Sequence, residues 1–169
     1  MASSSRRWRI RETARNIHVV QIEFSNVGDE QWVLLQSDIH WDNPKCDRDL
    51  LTAHLEEARE RDAPIFDIGD FYCLMQGRWD KRANKNDLRP EHRTASYLDT
   101  IVDTSVKWWS PWKDLLAVRG QGNHESKIHK HQETDLIARF VERMRASGAS
   151  NIYLGGYSGF VVFRPAVRG

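Results

Sequence analysis

Leu115-Leu116-Ala117-Val118-Arg119-Gly120-Gln121-Gly122-Asn123-His124-Glu125 is an apolar run that passes through two glycines and then sets an amide beside an imidazole. Four apolar residues bounded by glycine read as a short buried strand. The same arrangement occurs twice upstream. Trp32-Val33-Leu34-Leu35 leads into Ser37-Asp38-Ile39-His40, and Pro64-Ile65-Phe66-Asp67-Ile68 ends in Gly69-Asp70. Between those two runs, Asp47–Arg61 carries Leu50, Leu51, His54, Leu55 and Ala58 at helical spacing. Strand, helix, strand at this distance is a βαβ unit, with a parallel pair and a right-handed crossover. The pattern predicts an α/β fold with a central β-sheet flanked by helices.

Working outward, Ile17–Phe24 is rich in β-branched residues and is predicted as a strand. After the turn residues Ser25 to Glu30 it is expected to pair as a hairpin with the more buried strand Trp32–Leu35. Residues 76–90 form a long polar and charged loop, of the kind that is often functional. A second helix is predicted over Glu91–Trp109 and a third over His131–Ser147, stopped by Gly148. Asn151–Leu154 and Phe160–Phe163 complete the strands. The last of these is expected to expose apolar surface and an open edge. With no internal repeat and no linker, residues 16–169 read as one domain. Residues 1–15, rich in serine and carrying Arg6, Arg7, Arg9, Arg11 and Arg15 around Trp8, read as a solvated, disordered tail.

Composition narrows the function classes. At 169 residues, with 40% hydrophobic and 29% charged, the chain can bury a core as an ordinary globular domain. A net charge of +1 supplies no global field toward nucleic acid or membrane. No apolar run approaches a membrane span. Cys46 and Cys73 stand at unrelated positions, which argues against a disulfide framework; a reducing compartment, the cytoplasm, is expected.

Three strand ends therefore present carboxylate, imidazole, carboxylate, amide oxygen and imidazole. Ligands of open α/β sheets bind outside the carboxyl ends of the strands, and divalent Mn²⁺, Fe²⁺ or Zn²⁺ accept this oxygen and nitrogen mixture. Two such cations form the clamp used for in-line displacement at phosphorus. Other polar residues have structural explanations. Asp42 and Asn43 read as turn residues, with support of the neighbouring ligands as the alternative, Asp67 as a structural acceptor, and Glu125 as a partner for loop backbone or for a ligand water. His18, His54 and His92 read as surface or core-edge residues. Trp108, Trp109 and Trp112 are expected to pack around the second helix, the alternative being an aromatic platform for a base. Arg78, Lys81, Arg82 and Lys85 are candidates for meeting an anionic substrate, with a solvated charge run as the equal competitor.

The ordered set D-x-H (Asp38, His40), G-D (Gly69, Asp70) and G-N-H-E (Gly122 to Glu125) resembles the N-terminal part of the calcineurin-like metallophosphoesterase superfamily. The resemblance covers about residues 17–163. It implies the first part of a four-layer α/β/β/α sandwich and a two-metal centre, with Mn²⁺ as the first choice and Fe²⁺ or Zn²⁺ as alternatives. It assigns Asp38 and His40 to the first metal, Asp70 to a bridge between both, and Asn123 to the second metal and a phosphate oxygen. It makes His124 the residue that stabilises the transition state or protonates the leaving group. The implied activity is hydrolysis of a phosphomonoester or phosphodiester by a metal-bound hydroxide. Two departures accompany it. The family completes its site with later histidines, including a G-H-x-H pair, whereas this chain has no histidine after His131. His129 and His131 are poor substitutes, placed at the start of the third helix. The domain is accordingly expected to be C-terminally incomplete, with a weak second metal site. The other departure is Cys73, where many members carry an Asp or His that orients the catalytic histidine. The remaining alternatives are a nuclease of the same superfamily acting on DNA or RNA, and a non-catalytic interaction module. Nothing in the sequence bears on oligomeric state.

Overall fold

The computed structural model describes residues 6–74 and 88–167. Its elements run β1 (Trp8–Ala14), β2 (Ile17–Phe24), β3 (Leu34–Gln36), α1 (Arg48–Glu60), β4 (Ile65–Asp67), α2 (Tyr97–Trp109), β5 (Leu116–Gly120), α3 (Asn123–Gln132), α4 (Leu136–Ala146), β6 (Tyr153–Gly156) and β7 (Phe160–Val167). Short 3₁₀ turns lie at Pro90–His92 and Ser110–Leu115. This is the predicted α/β class. The expected parallel βαβ unit is β3-α1-β4, within a four-stranded parallel sheet ordered β3-β4-β5-β6. Every residue of β4 and β5 is buried, as strands covered on both faces require. A second sheet, ordered β1-β2-β7, shares the core: Phe66 of β4 meets Phe163 of β7 with ring centroids 5.7 Å apart.

The helices start where short polar side chains cap them. The Asp47 carboxylate accepts from Leu50 N at 2.9 Å to begin α1, and Asp135 does the same from Ala138 N at 2.9 Å for α4. Helix α4 then buries Leu136, Ile137, Phe140, Val141 and Met144, and α1 buries Leu51, Leu55 and Ala58. Trp109 and Trp112 are buried in the same core and Trp108 packs against it, so the tryptophans are packing residues.

Several expectations are corrected. The basic N-terminus is a strand: β1 pairs antiparallel with β2, from Trp8 opposite Ile22 to Ala14 opposite Ile17. Trp8 is fully buried and its indole donates to the Asp62 carbonyl at 2.7 Å. Trp8 and Ile10 face inward, and the arginines between and beside them masked that alternation in the sequence. The hairpin partner of β2 is therefore β1. The run Trp32–Leu35 goes to the other sheet, and Trp32 and Leu35 are exposed. Trp32 lies under the Arg61 guanidinium at 4.0 Å, which accounts for an exposed indole at that position. The predicted second helix is divided into the turn Pro90–His92 and α2. The predicted third helix, His131–Ser147, is α4 from Leu136. Its first two residues end a separate helix, α3, which starts at Asn123 without having been predicted and stops at Glu133, whose φ is 52°. His18 and His92 are buried, whereas His54 is exposed. As expected, β7 occupies a sheet edge and leaves Phe160, Val162, Phe163 and Val167 exposed. No helix among the described residues is long and apolar enough to cross a membrane.

Asp67 acts as the structural acceptor foreseen for it, and its partner is Arg119 on β5. Both are buried, 2.5 Å apart, and the Arg119 guanidinium lies over Phe71 at 4.3 Å and Trp109 at 4.1 Å. Burial pushes the Asp67 carboxyl up to about 6 against the opposing pull of Arg119. Removing one partner leaves a buried charge uncompensated. Asp67→Ala should cost about 3–5 kcal/mol in urea unfolding, and the double change Asp67→Leu with Arg119→Met should recover most of it. Equal losses in the single and double variants would show that the pair does not act as a unit.

Candidate metal centre

Strands β3, β4 and β5 end side by side, and backbone hydrogen bonds continue their pairing into the loops beyond. Ile68 N donates to Gln36 O at 3.0 Å, Asp38 N to Gly69 O at 3.0 Å, His40 N to Asp70 O at 3.1 Å, and Trp41 N to Phe71 O at 2.8 Å. The first two motifs are thus stitched together at main-chain level. Within that ladder Asp38, His40 and Asp70 hold φ values of 53°, 47° and 52°. Left-handed backbone at a residue other than glycine costs of order 1 kcal/mol or more and persists where surroundings impose it. Three of the predicted site residues share it.

The third motif arrives through glycine. A Cβ on Gly122 would lie 2.1 Å from Asp70 Oδ1 and 2.3 Å from Asp70 N. A Cβ on Gly69, which also has positive φ, would lie 2.9 Å from Gly122 Cα. Only hydrogen fits at either position. This contact lets His124 N, in the first turn of α3, donate to Asp70 Oδ1 at 3.0 Å, where the positive end of the helix favours a carboxylate.

Two buried carboxylates hold the frame. Glu125 accepts from Gly122 N at 2.9 Å and from Tyr72 N at 2.8 Å. Burial pushes it up to about 7 in spite of those donors. Asp42 accepts from Cys73 N at 2.5 Å, Leu74 N at 3.2 Å and the Tyr97 hydroxyl at 2.8 Å. Desolvation, reinforced by Asp42, raises the Tyr97 hydroxyl far above its ordinary value and keeps it a donor. Glu125 serves loop backbone as foreseen. Asp42 is more than a turn residue, because it fixes the segment after β4; the signal for this was its place two residues after His40.

On this frame one ligand atom each from Asp38, His40 and Asp70 lies within 4.8 Å of the others, and so do atoms from His40, Cys73 and His124. The His40 and His124 rings meet edge to face at 4.8 Å. Asp38 sits between two clefts. One, of about 440 Å³, is lined by His40, Asn43, Cys73 and His124; the other, of about 300 Å³, is lined by Asp70 and Asn123. All five predicted residues, Asp38, His40, Asp70, Asn123 and His124, are thereby brought to one place. His129 and His131 are exposed near the far end of α3, which begins at Asn123 and so carries them away from the site, not at the start of a third helix as the sequence suggested. Arg78, Lys81, Arg82 and Lys85 lie outside the described residues.

The donors fit a divalent cation. Two carboxylates and an imidazole suit Mn²⁺, Fe²⁺ or Zn²⁺, and His40 Nδ1 is buried without a hydrogen-bond partner. A second cation would find Asp70 and the exposed Asn123 among the described residues, with one Asp70 oxygen already bonded to His124 N. No family model, curated protein or solved structure matches the chain.

The glycine contact carries a direct test. Gly122→Ala should lower stability by about 1–3 kcal/mol through overlap with Asp70 and weaken Mn²⁺ binding in calorimetric titration. Unchanged melting and Mn²⁺ affinity would mean that the two loops can separate without consequence.

Proposed function

We propose that this chain carries a divalent-metal-dependent phosphoester hydrolase site. The observation that supports it most is the convergence of Asp38, His40 and Asp70 at adjacent parallel-strand ends, each in left-handed backbone. The order of the D-x-H, G-D and G-N-H-E motifs adds the resemblance to calcineurin-like metallophosphoesterases. Asp38, His40 and Asp70 would hold the first cation, and Asp70 with Asn123 would contribute to a second. Bound there, the cations would supply Lewis-acid polarisation of a phosphoryl oxygen and a water activated at neutral pH.

The chain's own groups do the remaining work. The Asn123 amide, on the wall of the cleft shared with Asp38 and Asp70, binds and orients a phosphate oxygen. A carbonyl oxygen can only accept, so His124 Nδ1 donates its proton to the Cys73 carbonyl. That bond fixes the ring. When His124 is an imidazolium, with Nδ1–H on the carbonyl and a second proton on Nε2, Nε2–H hydrogen-bonds the leaving oxygen and gives it that proton, and the ring is left neutral. The orienting role given in the family to an acidic or imidazole side chain is taken here by backbone at the same position. Ester class, monoester or diester, follows from what fits the two clefts.

Hydrolysis of p-nitrophenyl phosphate and of bis(p-nitrophenyl) phosphate should require added Mn²⁺. Asp70→Asn should abolish both turnover and the thermal stabilisation by Mn²⁺, which at a hundredfold excess over Kd amounts to about 2.7 kcal/mol. His124→Ala should keep the stabilisation and lose about 10²–10⁴ in kcat. Turnover that persists in Asp70→Asn would overturn the proposal. Mn²⁺ binding without turnover of either ester would favour a non-catalytic module, and salt-sensitive binding of DNA or RNA would move the substrate to nucleic acid.

A further inference from the structure

We propose that His40, Cys73 and His124 form a second, thiolate-containing cation site that selects zinc over manganese. The selectivity and geometry stand on these residues alone; the consequence for turnover drawn below rests on the hydrolase reading. A nitrogen of each imidazole and the Cys73 sulfur lie within 4.8 Å of one another. Tetrahedral zinc, with Zn–S near 2.3 Å and Zn–N near 2.0–2.1 Å, needs such atoms about 3–4 Å apart. Side-chain movements of about an ångström close the set.

Three features prepare these groups as ligands. The His124 Nδ1–H bond to the Cys73 carbonyl leaves Nε2 with its lone pair, the arrangement by which metal-bound imidazoles are normally oriented. His40 Nδ1 is buried and has no hydrogen-bond partner, although a buried ring nitrogen ordinarily finds one. The Asn43 amide donates to Cys73 Sγ at 3.2 Å, and a donor on sulfur stabilises thiolate relative to thiol. Asp42, through Cys73 N, holds the cysteine backbone in register with His40. The 440 Å³ cleft is lined by all three ligands, which gives the ion a path in and room for water as a fourth ligand.

The two ligand sets differ in softness. Asp38, His40 and Asp70 are oxygen-rich and suit manganese, whereas one sulfur with two imidazoles suits zinc. As the sulfur–zinc bond forms, the Cys73 thiol releases its proton to solvent. Both sets use His40, and the second also occupies His124. Zinc bound at Cys73 would therefore withdraw from the hydrolase site one ligand and the group assigned to protonate the leaving oxygen. Zinc becomes an inhibitor of a manganese enzyme.

Cobalt(II) replaces zinc as a visible probe. Titrated into the full chain, it should give a near-ultraviolet thiolate-to-cobalt charge-transfer band saturating at one equivalent. The band should survive Asp70→Asn and Cys46→Ser and vanish in Cys73→Ser, with cobalt affinity lowered at least about 100-fold, since even groups outside the ligand shell are worth 10–100-fold. X-ray absorption of the zinc-loaded, unsubstituted chain should show one sulfur near 2.3 Å beside nitrogen and oxygen. The spectrum needs no variant that must fold. No charge-transfer band, a band that follows Cys46, or a zinc shell of nitrogen and oxygen alone would overturn the proposal. A band that persists while Asp70-dependent Mn²⁺ binding is missing would instead count against the hydrolase site and leave this one standing.

Discussion

Gly69 and Gly122 touch, the Cβ position of one lying 2.9 Å from the Cα of the other, and through that contact the β4 loop reaches the start of α3. Asp70 cannot accept from His124 N unless the two backbones come this close. Neither can the D-x-H loop, bonded to Gly69 O and Asp70 O, stand beside Asn123 and His124. A Cβ at either glycine would overlap the other loop, 2.9 Å from Gly122 Cα in one case and 2.1 Å from Asp70 Oδ1 in the other, and push the two loops apart. Two separate ligand clusters would then replace one site.

Such closeness needs a rigid frame, which polar groups in the core supply. Arg119 and Asp67 tie β5 to β4 just before the strands open into loops. Glu125 then holds the backbone N–H of Tyr72, and Asp42 those of Cys73 and Leu74. Buried carboxylates are costly unless every oxygen finds donors, so the tight set of backbone N–H groups around each is what makes them tolerable. The same set keeps Asp38, His40 and Asp70 in backbone conformations they would not hold as a free peptide. Cohesion and chemistry are separated by burial: Asp67 and Asp42 are shielded and paired, while Asp38, at the mouth of two clefts, is exposed to an incoming ion.

Cys73 shows how one position does two things. Its carbonyl orients His124, a role any residue could fill, because backbone supplies the oxygen. Its sulfur is thereby released from the orienting task and joins His40 and His124 as a potential soft ligand. A carboxylate or imidazole there would keep the ligand set hard. The thiol changes which metal the neighbourhood prefers, and the backbone path is untouched.

The sequence by itself determined the parallel βαβ core, the amphipathic helix α1, and the rule that polar tips of three apolar runs meet at the carboxyl ends of one sheet. Those features are local: a strand, a helix and a turn are each encoded within a dozen residues by period, caps and glycine. The candidate ligands Asp38, His40, Asp70, Asn123 and His124 were legible for the same reason. Only the tertiary structure decided which strand pairs with β2, since register and partner depend on faces buried by distant segments, and arginine beside Trp8 and Ile10 hid a strand that packing makes obvious. It also decided which carboxylates are spent on backbone and which remain open, because desolvation is a property of the surroundings. Chemically alike in the sequence, Asp38 and Asp42 are set apart by what covers them.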